Sequence, residues 1–313
     1  MLRHVGWIGS RLDRPESVTV SDEGTVLVSD RQAIARLIRP EGKQISLSTL
    51  PHAGFIPNGI GVREDGSLLV TNMGADGGVW ALTPGKKGLE PFLLSVDGIQ
   101  LPPCNYVLID AERIWLTVST RTTPINDVYN SEIADGLIVL IDKRGARIAA
   151  GGLRFANECR LSADRQWLYV AETAAARVSR FPVLPDGSLG LKQVFYQFDV
   201  DVYPEGLLFD DHHNLWLTSV VSNRIYRITS NTVCTLEYDD GDQDHIKRSR
   251  LARSQKALSR MHFYEGAGHI LSAPTSLSFM GQDKTRLVVG SLTAERLPVF
   301  AIEIAKDRLG SIF

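Results

Sequence analysis

Six times along this chain an oxygen-bearing side chain precedes a short apolar run, a turn and a second apolar run. The six segments are Pro15-Glu16-Ser17-Val18, Pro57-Asn58-Gly59-Ile60, Cys104-Asn105-Tyr106-Val107, Ala156-Asn157-Glu158-Cys159, Pro204-Glu205-Gly206-Leu207 and Pro274-Thr275-Ser276-Leu277. The repeated position reads Glu16, Asn58, Asn105, Asn157, Glu205, Thr275. Internal copies spaced about 40–50 residues apart mark a propeller or solenoid. They argue for one domain over residues 1–313, although length alone would suggest about two.

After each polar start the pattern is strand, turn, strand. Ser17–Val20 leads to Ser21-Asp22-Glu23-Gly24 and then Thr25–Val28. Gly59–Val62 leads to Arg63-Glu64-Asp65-Gly66 and then Ser67–Val70. Gly at the end of such a turn, with alternating apolar flanks, is a strong hairpin signal. Third strands follow at Ala35–Ile38, Gly78–Leu82, Arg177–Phe181 and Arg224–Ile228, and a weaker outer strand appears at Gln193–Tyr196. Four-stranded units repeated radially predict an all-β, six-bladed β-propeller. Spare apolar residues at both ends predict closure by His4–Ile8 beside Val299–Ile304.

Two insertions interrupt the period, at about residues 120–135 and 239–271. The second opens acidic (Asp239, Asp240, Asp242, Asp244) and turns basic from Lys247 to Arg260. Ile246, Leu251 and Leu258 with Ala252 and Ala257 predict a short amphipathic helix. Its basic run reads either as a solvated helix face or as part of a lid over the ring, because loop insertions on a rigid scaffold are where function concentrates.

The net charge of −2 gives no reason to expect nucleic acid or an anionic membrane as partner. No stretch approaches the roughly 18 apolar residues of a membrane helix. Three cysteines, Cys104, Cys159 and Cys234, predict reduced thiols and a cytoplasmic address. The default role for Cys104 and Cys159 is as small buried hydrophobes. His212 and His213 fall in a hairpin turn, and His262 and His269 in the second insertion.

In a propeller the innermost strand of every blade lines the central channel, so the six polar starts would meet at one mouth. Glu16, Asn105, Asn157 and Glu205 would offer carboxylate and amide oxygens to a central cation. Calcium and other hard ions prefer such ligands, whereas zinc's favoured thiolate and imidazole are missing from these positions. The alternative is that these residues only cap turns, since Pro-Asn-Gly and Pro-Glu-Gly are good turn formers. Asn72, Ser119, Arg121, Glu172, Thr173 and Ser219, at the ends of second strands, would face the same mouth.

These residues resemble the regucalcin/gluconolactonase family of six-bladed propellers. The resemblance is most specific in Ala156-Asn157-Glu158-Cys159-Arg160-Leu161-Ser162-Ala163-Asp164 followed by Trp167–Thr173, and in Tyr203-Pro204-Glu205-Gly206 through Asn214–Leu217. It implies one divalent ion, calcium first and zinc or another ion as alternatives, on Glu16, Asn105, Asn157 and Glu205. Two departures stand out. Glu205 replaces the family's Asp, and Pro103-Cys104-Asn105-Tyr106 replaces its Arg-x-Asn-Asp.

The resemblance further implies metal-assisted opening of a lactone or related cyclic ester by water, with Glu205 as ligand and general base. Asn58, Asn105, Tyr106, Arg121, Glu172 and Thr275 are then expected to contact a small-molecule substrate. Arg121 is placed to pair with a substrate carboxylate or phosphate; its competing reading is a surface arginine at an insertion's edge. Two rivals keep the fold: a lyase or isomerase on the same metal site, and a non-catalytic binding propeller.

Overall fold

The apolar runs pair as the turns dictate. In the computed structural model, described here for residues 1–130 and 132–303, six antiparallel four-stranded sheets form the six blades of a propeller. The inner strands of blades one to six are Val18–Val20, Pro57–Val62, Cys104–Asp110, Ala156–Leu161, Pro204–Phe209 and Pro274–Met280. Sequence-adjacent strands pair outward within each blade. The first hairpin turn closes with Gly24 at φ +80°, and Gly24 N–H donates to Ser21 O at 2.8 Å.

Blade six takes its outer strand from the opposite end of the chain. Leu2–Ile8 pairs antiparallel with Leu297–Ile302, with a bulge between His4 and Gly6. This is the expected closure, except that Ile304 lies outside the described residues.

The apolar faces pack blade to blade. Leu69 and Val79 of blade two share one cluster with Val107 and Leu116 of blade three. Trp115 and Ile138 share another with Cys159 and Leu168 of blade four. At about 25 cal/mol per Å² of apolar surface removed from water, these seams are the main source of stability.

Five of the six polar starts are strand residues rather than turn caps; Glu16 stands two residues before its strand. In blades two to six the register of the inner strand slips at or beside the polar residue. A bulge leaves one residue unpaired and re-aims its side chain. The freed amide finds a hydroxyl on the second strand. Ser29 Oγ accepts from Glu16 N–H at 3.1 Å, Thr71 Oγ1 from Gly59 at 2.7 Å, Thr117 Oγ1 from Tyr106 at 3.1 Å and Thr218 Oγ1 from Gly206 at 2.9 Å. The glycines following Asn58 and Glu205 have a further cause. A Cβ on Gly59 would meet Tyr106 Cα at 2.7 Å, and one on Gly206 would meet Thr275 O at 2.3 Å.

Both insertions fold over one end of the ring. The first carries α1 (Asn126–Tyr129) and the second α2 (Gln243–Ser254) and α3 (Met261–Tyr264). Asp242 caps α2 by accepting from Asp244 and His245 N–H at 2.8 and 3.0 Å. The apolar face of α2 differs from the expected one. Ile246 is buried, but Leu251 is 56% exposed and Leu258 lies beyond the helix in its own buried site. His245 and Ser249 complete the buried face. Among the described residues no helix is long and apolar enough to cross a membrane.

Candidate active site

Where the inner strands begin, their bulges turn polar side chains into a buried cluster. Asn58 Nδ2 donates to Glu16 Oε1 at 3.0 Å and to Asn105 O at 2.9 Å. Asn157 Nδ2 donates to Glu205 Oε2 at 2.5 Å and to Thr173 Oγ1 at 3.2 Å. Asn105 Nδ2 donates to Ser119 Oγ at 3.0 Å, which leaves its carbonyl side toward Asn58. Glu16, Asn105, Asn157 and Glu205 are each at most 7% exposed.

The electrostatics are those of carboxylates removed from water. Burial pushes the Glu16 carboxyl up to about 8, against the pull of Arg14 and the Asn58 hydrogen bond. Glu205 is raised to about 8 by burial and by the neighbouring charge of Glu16. Glu16 Oε2 and Asn157 Oδ1 are buried acceptors with no donor among the described residues. Orphaned buried acceptors beside two carboxylates are the complement of a hard cation. By that test the donor set Glu16, Asn105, Asn157 and Glu205 fits a divalent ion. No group of three or more His, Cys, Asp or Glu is arranged for a metal among the described residues, so such an ion would rely on the amide oxygens as well.

Above this floor lies a cavity of about 120 Å³. Asn58, Asn105 and Glu205 line its base, and Arg14, Tyr129, Phe155, Arg260, Phe263 and Tyr264 line its sides. Tyr129 of α1 packs on Phe263 of α3 with ring centroids 4.5 Å apart, and on Phe155 at 5.1 Å. Asn130 binds Leu258 through both ends of its amide, Nδ2 donating to Leu258 O at 2.5 Å and Oδ1 accepting from Leu258 N–H at 2.6 Å. The cover is therefore joint property of the two insertions. A larger cleft, about 630 Å³, lies between blades one and two on the hairpin side and carries Lys86 as its one charged side chain. It lacks convergent polar chemistry.

Arg14 stands two residues before Glu16, at φ +54°. Phe155 and Ala273 hold the same place before Asn157 and Thr275, at φ +57° and +48°. A left-handed residue at this offset thus recurs in three blades, and in two of them, at Arg14 and Phe155, its side chain lines the cavity. The Arg14 guanidinium donates through Nη1 to Pro57 O at 3.1 Å and through Nη2 to Asn58 Oδ1 at 2.7 Å. Tyr264 accepts from Arg260 Nη2 at 3.0 Å. Burial disfavours ionisation of its phenol, but Arg14 and Arg260 outweigh that and hold it below the usual range.

The expected substrate contacts divide. Asn58 and Asn105 reach the cavity. Asn58 is held at both ends, however, by Arg14 and Glu16, so it acts as a link between them. Thr275 is fully buried and donates to Glu16 O at 2.6 Å, tying blade six to blade one. Glu172 is fully buried in an ion pair with Arg177 at 2.8 Å and accepts from Arg154 N–H. Tyr106 lies in the blade three–four seam with the Arg160 guanidinium 4.5 Å over its ring. Arg121 is exposed, and its N–H donates to Asp135 at 3.1 Å. The structure does not bring Tyr106, Arg121, Glu172 or Thr275 to the cavity wall. His212 and His213 sit in their hairpin turn, and the His262 ring is held by Ser259. Burial pushes the Cys104 and Cys159 thiols up to about 12, which removes them as nucleophiles.

Arg14, Tyr129, Phe155, Phe263 and Tyr264 went unread in the sequence. Arg14 and Phe155 carried a signal in their fixed offset from the repeat. The others belong to the insertions, which have no period.

A family model described as the SMP-30/gluconolactonase/LRE-like region matches residues 14–239. A gluconolactonase from Xanthomonas campestris superposes with a TM-score of 0.67 at 16% identity, covering 96% of this chain and 99% of that one. A calcium-binding protein, regucalcin, from Agrobacterium tumefaciens gives 0.68 at 15% identity, covering 96% and 94%. A virginiamycin B lyase from Staphylococcus aureus gives 0.59 at 17% identity, covering 97% and 99%. No curated protein sequence matches the chain.

Proposed function

The chain belongs to the SMP-30/gluconolactonase/LRE-like family, and from that premise we propose that it opens a lactone or related cyclic ester by hydrolysis in the cavity beneath the two insertions. The observation that carries this reading is the buried pair Glu16 and Glu205 beside the orphaned acceptors Glu16 Oε2 and Asn157 Oδ1. Glu16, Asn105, Asn157 and Glu205 would hold one divalent cation, calcium in the first instance. When bound, such an ion supplies carbonyl polarisation and stabilisation of the developing oxyanion.

The protein's own residues do the rest. Glu205 lines the cavity and is the base that draws a proton from water. Asn157 orients it through the hydrogen bond to Oε2. Asn58 fixes Glu16 through Oε1 and leaves Oε2 uncommitted. Tyr129, Phe155 and Phe263 exclude bulk water, which strengthens every charge beneath them. Glu205, one methylene longer than Asp, reaches further into the cavity than the family's residue would. The partner proposed is a small molecule, with neither nucleic acid nor membrane. Three unpaired thiols support a cytoplasmic address.

A second reading, lyase or isomerase chemistry at the same mouth, has its support in Tyr264, a phenol whose proton is loosened by two guanidiniums. Following a panel of lactones by NMR separates the two: hydrolysis gives the hydroxy acid, elimination an unsaturated product. Glu205→Gln is expected to lower kcat/KM for opening by roughly a hundredfold or more. An unsaturated product would sink the hydrolytic reading, and full opening by chelator-treated Glu205→Gln protein would sink the roles given to the ion and to Glu205.

A further inference from the structure

We propose that the lactone taken by this pocket carries a carboxylate, seated on Arg14 and Arg260 at the rim while the ester faces Glu205 at the base. This deepens the lactone-opening reading and rests on it. The first support is Arg14 itself. It lines the cavity and is only 8% exposed. Two of its nitrogens are spent on Pro57 O and Asn58 Oδ1, both neutral acceptors, the guanidinium also bonds the Tyr264 phenol, and its Nε is buried with no acceptor among the described residues. A buried guanidinium whose bonded partners are neutral, with one donor idle, is costly to keep. Bracing Asn58 needs only a neutral donor, so the brace does not explain the charge.

The second support is the placing of charge. Glu16 is separated from Arg14 by the Asn58 amide, which donates to one and accepts from the other. Once a divalent ion cancels Glu16 and Glu205, the positive charge of Arg14 is left facing the Tyr264 phenol, which is uncharged while it keeps its proton. Arg260 enters the same cavity wall from the second insertion, at its exposed edge, where an incoming anion would meet it first. Its Nη2 donates to Tyr264 OH, which fixes the guanidinium across from Arg14. A planar guanidinium fork matches a carboxylate. The cavity's size suits a compact acid rather than a polymer.

The test compares two rings that differ at one carbon. The γ-lactone of gluconic acid ends in a hydroxymethyl group, and the γ-lactone of glucaric acid ends in a carboxylate. Affinity is read by thermal shift of the calcium-supplemented protein, and ring opening separately by NMR. The carboxylate-bearing ring is expected to bind about tenfold to a hundredfold more tightly, the scale of a hydrogen bond to a charged group. Arg14→Met should abolish that preference, and Arg14→Lys should keep part of it. Should Arg14→Met fail to fold, Arg260→Met at the exposed edge is expected to reduce the preference in its place. Equal affinity of the unmutated protein for the two rings overturns the proposal, as does a preference that survives both Met substitutions. Arginine-dependent binding without opening removes the hydrolytic reading and keeps the carboxylate seat. Opening of both rings without preference does the reverse.

Discussion

Glu16 and Glu205 each hold a proton more tightly in the folded protein than in the unfolded chain. Their ordinary value is 4.5, and burial carries both to about 8. Between those limits the cation-free fold binds extra protons, so its stability is greatest on the acid side and falls as pH rises through about 8. Calorimetry of chelator-treated protein should show the transition temperature falling across that window. Adding calcium should flatten the profile and release protons, since the ion takes the ionised form. Thr275 carries a different expectation. Its hydroxyl links blade six to the Glu16 carbonyl without reaching the cavity. Thr275→Val should therefore cost about 1–3 kcal/mol in urea unfolding and leave the KM of the folded enzyme in place. The repeat made Glu16, Asn105, Asn157 and Glu205 legible because periodicity alone carries residues of equal rank to one axis. It could not distinguish Thr275 and Asn58, which sit at the same rank but spend their hydrogen bonds on the protein.

At the scale of elements, the strands were readable and the cover was not. Apolar alternation and glycine turns marked the blades, and in blades two to six a bulge at the polar start explains how a strand residue can face the axis. The hydroxyls of Ser29, Thr71, Thr117 and Thr218 recur at one place on the second strands, a signal visible in the sequence once the register is known. The insertions lack such a period. Only the second was read as a lid, whereas Tyr129 and Asn130 make the first an equal part of it. Asn130→Ala removes both hydrogen bonds to Leu258. It should raise KM and speed hydrogen exchange around residues 255–264, with the blades' exchange unchanged. Helix α2 is tied down separately, by Arg253 donating to Val200 O and Ala174 O at 2.8 and 2.6 Å. Loosening one end of the cover should therefore not release the other.

For the whole molecule, the ring depends on its outermost strand in blade six. Leu2–Ile8 makes six paired positions with Leu297–Ile302, and the N-terminal ammonium also meets Glu237 of blade five at 3.2 Å. Removing residues 1–8 would leave blade six with three strands and a long bare edge. Such a protein should melt at lower temperature and aggregate on heating, as scanning calorimetry and light scattering would report. The same pairing sets a schedule for synthesis. Leu2 and its partner Ile302 are made roughly three hundred residues apart. At about 5–20 residues per second, the first strand leaves the ribosome tens of seconds before anything exists for it to pair with. Five blades can assemble in that interval, each from its own neighbouring strands, while the opening segment stays unclaimed. The strand Leu297–Ile302 is thus what ends the wait of Leu2–Ile8.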